Sequence, residues 1–379
     1  MNVQTAHDQR EWDDFLAAQP YSPFLQSWTM GEVYADIGQT AVRLVAEDEK
    51  GEIEALCFGH VVAAKRGKHI SVPYGPVLAE SLNQYDAAKI TTAFVASLKK
   101  EAIEHGCSFL RISPFWLQGR YSDAVNAYGS VSSPLHLLAE HVWVLPLKKN
   151  DGATITEDAL LSAMRKTTRN LIRRAEKDGV TVNTSKNPVK DLDQFIRLHD
   201  ETRKRHGFTA YTNAFFRSQV RRFSERKELT LYLASYQGEV IASSIHMHAF
   251  GETSYHHGAS SAAHKKVPAS YLLQWTAIRD ALKRGDRMYN FWGIAPTLTP
   301  SPSPDGRGET PISSVAKLPF PPRGKGQGDG GHPFAGVTLF KTGFGGHVLN
   351  LVHCKDTPVS KKYWLTYGFE RLRKWRRGF

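Results

Sequence analysis

The spacing of apolar positions changes along the first third of the chain, and each change predicts a switch between strands and a helix. Apolar and β-branched residues dominate three short stretches separated by turn residues, which is typical of a strand meander. A longer stretch then repeats apolar residues every three or four positions, and Gly106 follows it where a helix would end. The predicted elements are strands at 42–46, 53–62 and 69–72, a helix at 84–105 and a strand at 108–112.

The same order of elements returns in the second half of the chain, about 190 residues later, which implies an internal duplication. Pro268 stands at the start of the second helix pattern and Gly285 just beyond its end, the asymmetry expected of a helix. His256 and His257 are consecutive in one predicted strand, so alternation would direct one inward and one outward. The second series comprises strands at 229–236, 240–249 and 253–257, a helix at 268–284 and a strand at 288–292.

A single long helix is predicted between the two series, at 154–179. Thr154 and Glu157 have the spacing of a capping box, and Gly179 supplies the stop. One face of this helix carries a cation every four residues, at Arg165, Arg169, Arg173 and Lys177. Like charges at this spacing repel one another, so a polyanion lying along the face would stabilise the helix. A solvated basic face is the alternative interpretation.

Composition narrows the class of protein. The 379 residues are 41% hydrophobic and 23% charged, which is typical of a globular protein with two domains. The net charge of +12 favours polyanionic partners such as RNA, phosphorylated precursors or an anionic membrane face. No apolar run approaches the ~18 residues of a membrane-spanning helix, so we expect a cytoplasmic protein. Cys57, Cys107 and Cys354 lack metal-ligand spacing, and neither a disulfide framework nor a metal site is predicted.

Two further segments differ from the rest of the chain. Pro, Gly and Ser dominate residues 297–331 and apolar periodicity vanishes there, which predicts a disordered insertion that can be deleted with the fold intact. From Lys361 onward the sequence is basic and aromatic and predicts a helix. That helix could pack on the first half of the chain, contact RNA or lie on an anionic membrane surface.

The candidate chemistry centres on Lys341, which stands between Phe340 and Phe344 and is followed by Gly345 and Gly346. Glycine lets the backbone approach a ligand closely, and a lysine held among aromatic residues is a candidate oxyanion stabiliser or anion clamp. Spacing alone also fits a strand whose lysine points to water.

Four blocks of sequence together resemble the FemABX family of aminoacyl-tRNA-dependent peptidyltransferases, which add amino acids to the peptidoglycan precursor. The blocks are residues 164–173, 255–260, 288–294 and 334–346, in the family's order. The resemblance implies an α/β (α+β) fold of two tandem GNAT-like subdomains, each a mixed sheet flanked by helices. The subdomains are expected at 1–148 and 149–350, with residues 351–379 forming a strand and a basic helix that pack back on the first.

The resemblance also implies roles for individual residues. Lys341 matches the lysine of the family's Phe-Lys-x-Gly-Phe-Gly motif and is expected to stabilise the oxyanion, with Phe340 beside it. The four cations of the 154–179 helix are expected to bind tRNA phosphates. The substrate-binding candidates are Arg203, Arg205, Tyr34, Trp292 and Gly345. Two positions depart from the family, because Tyr34 stands where relatives often have a precursor-binding lysine, and Asn290 where many have an aspartate.

Three functions remain open from the sequence. The first is an aminoacyltransferase that uses charged tRNA and the amine of a peptidoglycan precursor peptide; its activated ester requires no cofactor or metal. Such a protein is expected to be a monomer, with a peripheral contact at the inner face of the plasma membrane. The second is a GNAT-like N-acyltransferase that uses acyl-CoA on a small molecule or polysaccharide precursor. The third is a catalytically silent RNA- or membrane-binding relative.

Overall fold

The computed structural model describes residues 2–64, 67–206, 211–296 and 335–377. The insertion predicted at 297–331 lies outside the described residues. The helices are α1 (Gln9–Ala18), α2 (Trp28–Asp36), α3 (Gln84–Glu104), α4 (Ser122–Ala127), α5 (Glu157–Ala163), α6 (Lys166–Lys177), α7 (Pro188–His206), α8 (Asn213–Glu225), α9 (Ala269–Arg284), α10 (Ala335–Thr342) and α11 (Tyr363–Arg377). None of these described helices has the length and apolar character needed to cross a membrane.

The strands form two mixed sheets. They are β1 (Asn2–Thr5), β2 (Ala41–Glu47), β3 (Ile53–Ala64), β4 (Gly67–Tyr74), β5 (Val77–Leu78), β6 (Phe109–Pro114), β7 (Val131–Ser132), β8 (His141–Pro146), β9 (Thr181–Thr184), β10 (Leu229–Tyr236), β11 (Glu239–Ala249), β12 (Glu252–Ser260), β13 (Met288–Gly293), β14 (His347–Asn350) and β15 (Lys355–Pro358). The first sheet has the order β1-β2-β3-β4-β6-β15-β7, with β5 paired to β3, and the second has the order β14-β8-β13-β12-β11-β10-β9.

Each sheet contains the same supersecondary unit. Three antiparallel strands lead into a helix, and the helix returns the chain to a strand that is parallel to the third: β2-β3-β4-α3-β6 in the first sheet and β10-β11-β12-α9-β13 in the second. A parallel pair needs such a crossover because a tight turn can join only antiparallel strands. The predicted fold of two mixed sheets flanked by helices is confirmed.

Three apolar cores hold these layers together. One lies within the first half, around Ile90 and Phe94 of α3, and another within the second half, around Trp275 and Ile278 of α9. The third core contains residues of both halves, among them Trp12, Phe24, Phe58, Phe195, Phe216 and Ile245. Apolar surface removed from water is the main favourable term in folding, so this shared core joins the two halves into one packed unit.

A buried ion cluster attaches the C-terminal segment to the first sheet. Arg111 on β6 donates two hydrogen bonds of 2.8 Å to Asp356 on β15 and a 2.7 Å hydrogen bond to Glu370 on α11. Tyr363 donates to the same aspartate at 3.1 Å. Arginine suits this position because its planar fork can serve two carboxylates at once. The cluster fixes both β15 and one face of α11.

The prediction of one helix at 154–179 is wrong, because the chain forms α5 and α6 with a break at Met164 and Arg165. Thr156, rather than Thr154, caps α5 by accepting a hydrogen bond from the amide of Ala159 at 3.3 Å. Met164 is extended and buried, and the amide of Arg165 donates to the carbonyl of Gly343 at 2.9 Å. Tertiary contacts at this point therefore override the helical periodicity.

Candidate active site

The two sheets differ at their parallel strand pair. In the first sheet β4 and β6 stay paired over six positions, from His69 to Tyr74. In the second sheet β12 and β13 are paired at only three positions, of which the last joins Ser254 to Asn290. Beyond that point the two strands separate, and backbone groups that would pair in a closed sheet face an opening. The opening between β12 and β13 is the candidate active site.

Lys341 of α10 occupies this opening. Its Nζ donates a 2.7 Å hydrogen bond to the carbonyl of Gly293, the last residue of β13. The next amide, that of Ile294, donates to the backbone carbonyl of His141 on β8 at 2.9 Å. A trans peptide directs its carbonyl and its N–H to opposite sides, so the Gly293 carbonyl faces away from β8, toward the separated β12. The alternative of a strand lysine directed to water is thus wrong, since Lys341 is helical and 7% exposed.

Burial makes Lys341 chemically unusual. None of the ion pairs among the described residues includes Lys341, so no carboxylate offsets the cost of burying its charge. Desolvation lowers the pKa of Lys341 to about 7. An anion that enters the opening would restore the charged form, because opposite charges attract strongly where water is excluded. The site can therefore stabilise negative charge that develops during a reaction.

Aromatic side chains fix the end of α10. Phe340 packs edge-to-face on Tyr271 and on Phe344, with ring centroids 4.9 Å and 5.5 Å apart. Phe344 is fully buried and lies 5.4 Å from Phe291 of β13. Phe340, predicted as a catalytic neighbour, thus packs between α9 and the turn after α10. Its contacts hold Lys341 against β13.

The turn after α10 requires glycine. Gly345 and Gly346 have φ of 87° and 96°, where a side chain is strained. The carbonyl of Gly345 accepts a 2.7 Å hydrogen bond from the indole of Trp143 on β8. A Cβ on Gly346 would lie 2.1 Å from the carbonyl oxygen of Val144. The glycine-rich stretch therefore lets backbone lie directly against β8.

Replacement of Gly346 with alanine is expected to lower the free energy of unfolding by about 2–4 kcal/mol, because strain at positive φ adds to a clash with backbone. Urea unfolding of the two proteins measures the difference. Gly368→Ala is the matched control, since a Cβ there meets nothing within 4 Å and helix propensity favours alanine. An equal effect of both substitutions would contradict the close approach to β8.

The four predicted tRNA-binding cations divide into two pairs. Arg165 contacts the hydroxyl of Thr342, and Arg169 donates to the carbonyl of Leu161 at 3.1 Å and to that of Met164. These two arginines therefore close the break between α5 and α6 and join it to α10. Arg173 and Lys177 are exposed and belong to no ion pair within the described residues. These two remain available to a polyanion.

Trp292 lies at the opening in a left-handed backbone conformation, with φ of 63°. Its ring stacks on Tyr74 at 5.4 Å and contacts His256, also at 5.4 Å. Its indole N–H is buried without a hydrogen-bond partner. A strained backbone and an unpaired buried donor both cost free energy, and such features concentrate at functional sites.

The prediction that His256 and His257 point to opposite sides is wrong. Ile245 pairs with His257 and His246 with Tyr255, so a bulge at His256 interrupts the alternation. The two imidazoles lie 3.8 Å apart, and the Nε2 of each is buried without a partner. Burial lowers the pKa of His256 to about 3, so its ring is neutral at physiological pH.

The remaining substrate-binding candidates, Tyr34, Arg203 and Arg205, make contacts elsewhere in the described structure. Tyr34 is buried in the core shared by the two halves, where its ring stacks on His60 at 3.7 Å. Arg203 forms an exposed ion pair of 3.5 Å with Asp200. Arg205 donates to the hydroxyl of Ser260, at the far end of β12, at 3.1 Å. The substrate-binding roles expected of these three residues stay predictions.

Sequence reasoning missed a buried carboxylate at the point where β12 and β13 separate. Asn290 donates to Glu252 at 3.1 Å and to the hydroxyl of Tyr21 at 3.0 Å, and accepts from the amide of Trp292 at 2.7 Å. Glu252 is 6% exposed, and burial raises its pKa to about 7. A carboxylate of the adjacent strand β12 thus lies beside the asparagine of β13. Only the pairing of β12 with β13 reveals this.

A cavity of about 290 Å³ lies between the two halves of the chain and does not include Lys341. Tyr21, Tyr74, Phe115, Trp116, Tyr121 and Met288 are among its lining residues. Tyr21 bonds to Asn290, and Tyr74 stacks on Trp292. These two tyrosines therefore connect the cavity wall with the strand that bears the candidate site.

One group among the described residues could hold a metal ion: His136, Glu140 and His353, whose ligand atoms lie within 4.8 Å of one another. Both histidines contact Glu140, at 2.9 Å and 2.8 Å, and Cys354 donates its amide to the same carboxylate. These contacts lower the pKa of Glu140 to about 2 and raise the pKa of His353. The group joins the chain segments that run between the two sheets.

Comparisons with known proteins agree with this architecture. Residues 8–130 match the FemAB family, and residues 162–297 match the Acetyltransferase (GNAT) domain. No curated protein matches the sequence significantly. The opening between β12 and β13 and the predicted stripe of cations lie within the part that matches the acetyltransferase domain, while Lys341 follows it in the chain.

Solved structures show the same fold. A crystal structure of FemX has a TM-score of 0.71 and 16% identity, and the alignment covers 98% of this chain and 100% of that one. A tandem GNAT protein from the clavulanic acid biosynthesis pathway has a TM-score of 0.51 and 11% identity, covering 93% and 94%. L-PGS from Bacillus licheniformis has a TM-score of 0.50 and 12% identity, covering 96% of both chains. The family-model matches confirm the resemblance to the FemABX family, with a FemAB match in the first half of the chain and a GNAT acetyltransferase match in the second.

Proposed function

We propose that this protein is an aminoacyltransferase that moves an amino acid from aminoacyl-tRNA to an amine of a peptidoglycan precursor peptide. One observation carries the proposal: a buried ammonium group, Lys341, lies in the opening between β12 and β13 with a backbone carbonyl as its partner. The match to a GNAT acyltransferase domain supports acyl transfer as the class of reaction, and the FemAB match supports the aminoacyl form.

The chemistry requires little beyond alignment and charge stabilisation. A neutral amine attacks the ester carbonyl of the donor, a C–N bond forms, and the C–O bond to the tRNA ribose breaks after the tetrahedral intermediate. The amine loses one proton and the ribose oxygen gains one. Negative charge develops on the carbonyl oxygen, and donors fixed in a dry site stabilise it more strongly than water does. The protonated Lys341 is the donor in this proposal.

Binding of the donor is assigned to α6. Arg173 and Lys177 lie one turn apart, are exposed and have no carboxylate partner within the described residues. Cations placed in this way release counterions from the phosphates that they neutralise, so their contribution to tRNA affinity depends on salt.

Replacement of both residues with glutamine is expected to weaken tRNA binding about tenfold at low salt and to reduce the slope of log affinity against log salt by about 1–2. Filter binding of charged tRNA over a series of salt concentrations measures both quantities. The matched control is Lys99→Gln with Lys100→Gln, two exposed lysines on α3. Equal losses in both double variants would show that net charge, and not α6, governs the affinity.

A second candidate function is N-acylation with acyl-CoA. The GNAT domain match and the separated parallel strands favour it, since an extended acyl donor could pair with the unpaired backbone of the opening. A third, non-catalytic role would use the same basic surface without turnover. The distinction lies in the donor that supports transfer.

The experiment is transfer of a radiolabelled aminoacyl group from a pool of charged tRNAs to a muramyl-pentapeptide precursor, with Lys341→Met beside the wild type. Transfer by the wild type that collapses in the variant, with tRNA binding retained, would establish the aminoacyltransferase and place Lys341 in the transition state. Product formation only with acyl-CoA would establish the second function. Absence of turnover with either donor would leave the non-catalytic role.

A further inference from the structure

The outer face of α11 is strongly apolar. Trp364, Leu365, Leu372 and Trp375 are 54%, 79%, 44% and 79% exposed. At 3.6 residues per turn these four side chains fall within an arc of about 100° on the helix surface. Large apolar groups gathered in this way mark a surface that meets another apolar phase, whereas single exposed apolar residues do not.

The opposite face of the same helix is anchored to the protein. Tyr363, Thr366 and Glu370 are buried, and Glu370 is bonded to Arg111 at 2.7 Å. Tyr363 packs on Phe109 of β6, with ring centroids 5.2 Å apart. Because these contacts fix the rotation of α11, the apolar arc is held on the outside and cannot turn inward without breaking the buried ion cluster.

Positive charge flanks the apolar arc. On the same helical wheel Arg371 and Arg376 lie at the two edges of the arc, whereas Arg373 and Lys374 lie toward the buried face. None of these four cations belongs to an ion pair within the part of the chain that the structure describes. Lys361 and Lys362, just before the helix, are exposed as well. The acidic residue of the helix, Glu370, is buried against Arg111 on the inner side. The outward surface of α11 is therefore apolar and basic, without acidic relief.

We propose that this face of α11 docks the protein on an anionic phospholipid surface. An amphipathic helix of this kind places tryptophan and leucine at the boundary between headgroups and acyl chains, while arginine and lysine lie among the phosphates. The proposal does not depend on the reaction proposed at Lys341, because α11 is held on the first sheet by the contacts of Tyr363 with Phe109 and of Glu370 with Arg111.

The observations favour lipid over other occupants. RNA would use the arginines and the aromatic rings, but two exposed leucines contribute nothing to a phosphate backbone. A second copy of this chain would bring two unpaired basic surfaces together, and like charges at an interface disfavour association. A lipid surface accommodates both the leucines and the cations.

The test is flotation of the full-length protein with vesicles of phosphatidylcholine alone or of equal parts phosphatidylcholine and phosphatidylglycerol. We expect the wild type to float with the mixed vesicles at low salt. Binding to neutral vesicles should be weak, and so should binding to the mixed vesicles at high salt. Leu365→Gln with Trp375→Gln is expected to lower binding to the mixed vesicles about tenfold or more. The matched control is Tyr85→Gln with Ile103→Gln, two exposed apolar residues of α3 that are 74% and 67% exposed.

The variants also separate the competing explanations. The variant with Leu365→Gln and Trp375→Gln is expected to unfold at the same temperature as the wild type, because both side chains lie on the outer face of α11. An unchanged unfolding temperature excludes a folding defect. Equal loss of flotation in the α3 control would overturn the proposal, and so would absence of wild-type binding to mixed vesicles. A wild type that sediments as a dimer, ignores vesicles and becomes monomeric in the α11 variant would instead identify a second copy. If the wild type does not bind vesicles and the α11 variant loses tRNA binding, RNA would instead be the partner of this surface.

Discussion

Replacement of Lys341 with methionine is expected to lower kcat/KM for acyl transfer by about 10²–10³-fold, the loss seen when one oxyanion donor is removed from a fixed site. Donor binding should survive, because the exposed cations of α6 lie on a different helix. Steady-state transfer kinetics beside tRNA filter binding separate the two effects. A rise in KM with unchanged kcat would contradict a role in the transition state.

The same substitution is expected to stabilise the fold. Burial shifts the pKa of Lys341 from 10.5 to about 7, so the charged lysine destabilises the folded protein at and below neutral pH. Methionine removes that penalty but leaves the Gly293 carbonyl without its donor, at a cost of about 1–3 kcal/mol. We therefore expect the free energy of unfolding of the variant to exceed that of the wild type by about 1–3 kcal/mol near pH 6. A gain in stability with a loss of activity is common at active sites.

The lowered pKa of Lys341 makes the stability of the wild type depend on pH in a definite direction. Between about pH 7 and pH 10.5 the unfolded chain holds a proton on Lys341 that the folded protein does not, so the wild-type free energy of unfolding rises with pH in this window. The methionine variant lacks this contribution, and its advantage should shrink as pH increases. Urea unfolding at a series of pH values tests this. A constant difference between the two proteins would contradict the lowered pKa.

The pH profile of activity distinguishes two roles for Lys341. If the ammonium form stabilises the oxyanion, kcat/KM falls as pH rises through the pKa of about 7 in the free protein. A neutral lysine acting as a base would give the opposite slope. An anionic donor in the opening raises the lysine pKa, so the profile of kcat should lie at higher pH than that of kcat/KM.

Replacement of Arg111 with methionine is expected to lower the free energy of unfolding by about 3–5 kcal/mol. Asp356 is fully buried and Glu370 nearly so, and without the guanidinium both carboxylates would be buried without a countercharge. Protonation relieves that cost, so the variant should be least impaired at acidic pH and lose stability as pH rises. This sign follows because burial raises the pKa of Asp356 above its ordinary value, and the variant loses the guanidinium that offsets this effect.

The control for Arg111 is an exposed ion pair. Arg217 lies 2.7 Å from Asp193, and the two side chains are 54% and 70% exposed. Because solvent screens such a pair, Arg217→Met should change stability by less than about 1 kcal/mol. Urea unfolding of both variants at neutral and acidic pH makes the comparison. Similar values for the two substitutions would contradict the importance of burial.

The repeated unit could be predicted from the sequence because its signals are local. The pattern of β10 gives both of its ends correctly, and α9 begins after Pro268 and ends before Gly285 as its caps require. Short strands such as β1, β9 and β14, each of four residues, were not predicted. These strands are stabilised by pairing with strands that are distant in sequence. Four residues are too few for an alternation of apolar and polar side chains to predict a strand.

The candidate site could be predicted only in part. The Lys341 block was singled out by its aromatic and glycine content, but its helical state and its contact with Gly293 depend on tertiary packing. The sequence does not predict the contact of Glu252 with Asn290, because it depends on the register of β12 and β13. The spacing of the charges predicts one continuous basic face. In the structure the helix breaks at Arg165, and Arg165 and Arg169 contact neighbouring parts of the protein instead of forming part of that face.

The position of β15 has a consequence for synthesis of the protein. This strand lies between β6 and β7 in the first sheet, although 245 residues separate Arg111 from its partner Asp356. At ribosomal rates of about 5–20 residues per second, the first sheet waits roughly 10–50 s for the strand that completes it. Throughout that interval the nascent chain has an open sheet edge and an arginine without its carboxylates. Folding of the first sheet is therefore completed only when β15 and α11 have left the ribosome, and the unfinished edge is exposed to aggregation until then.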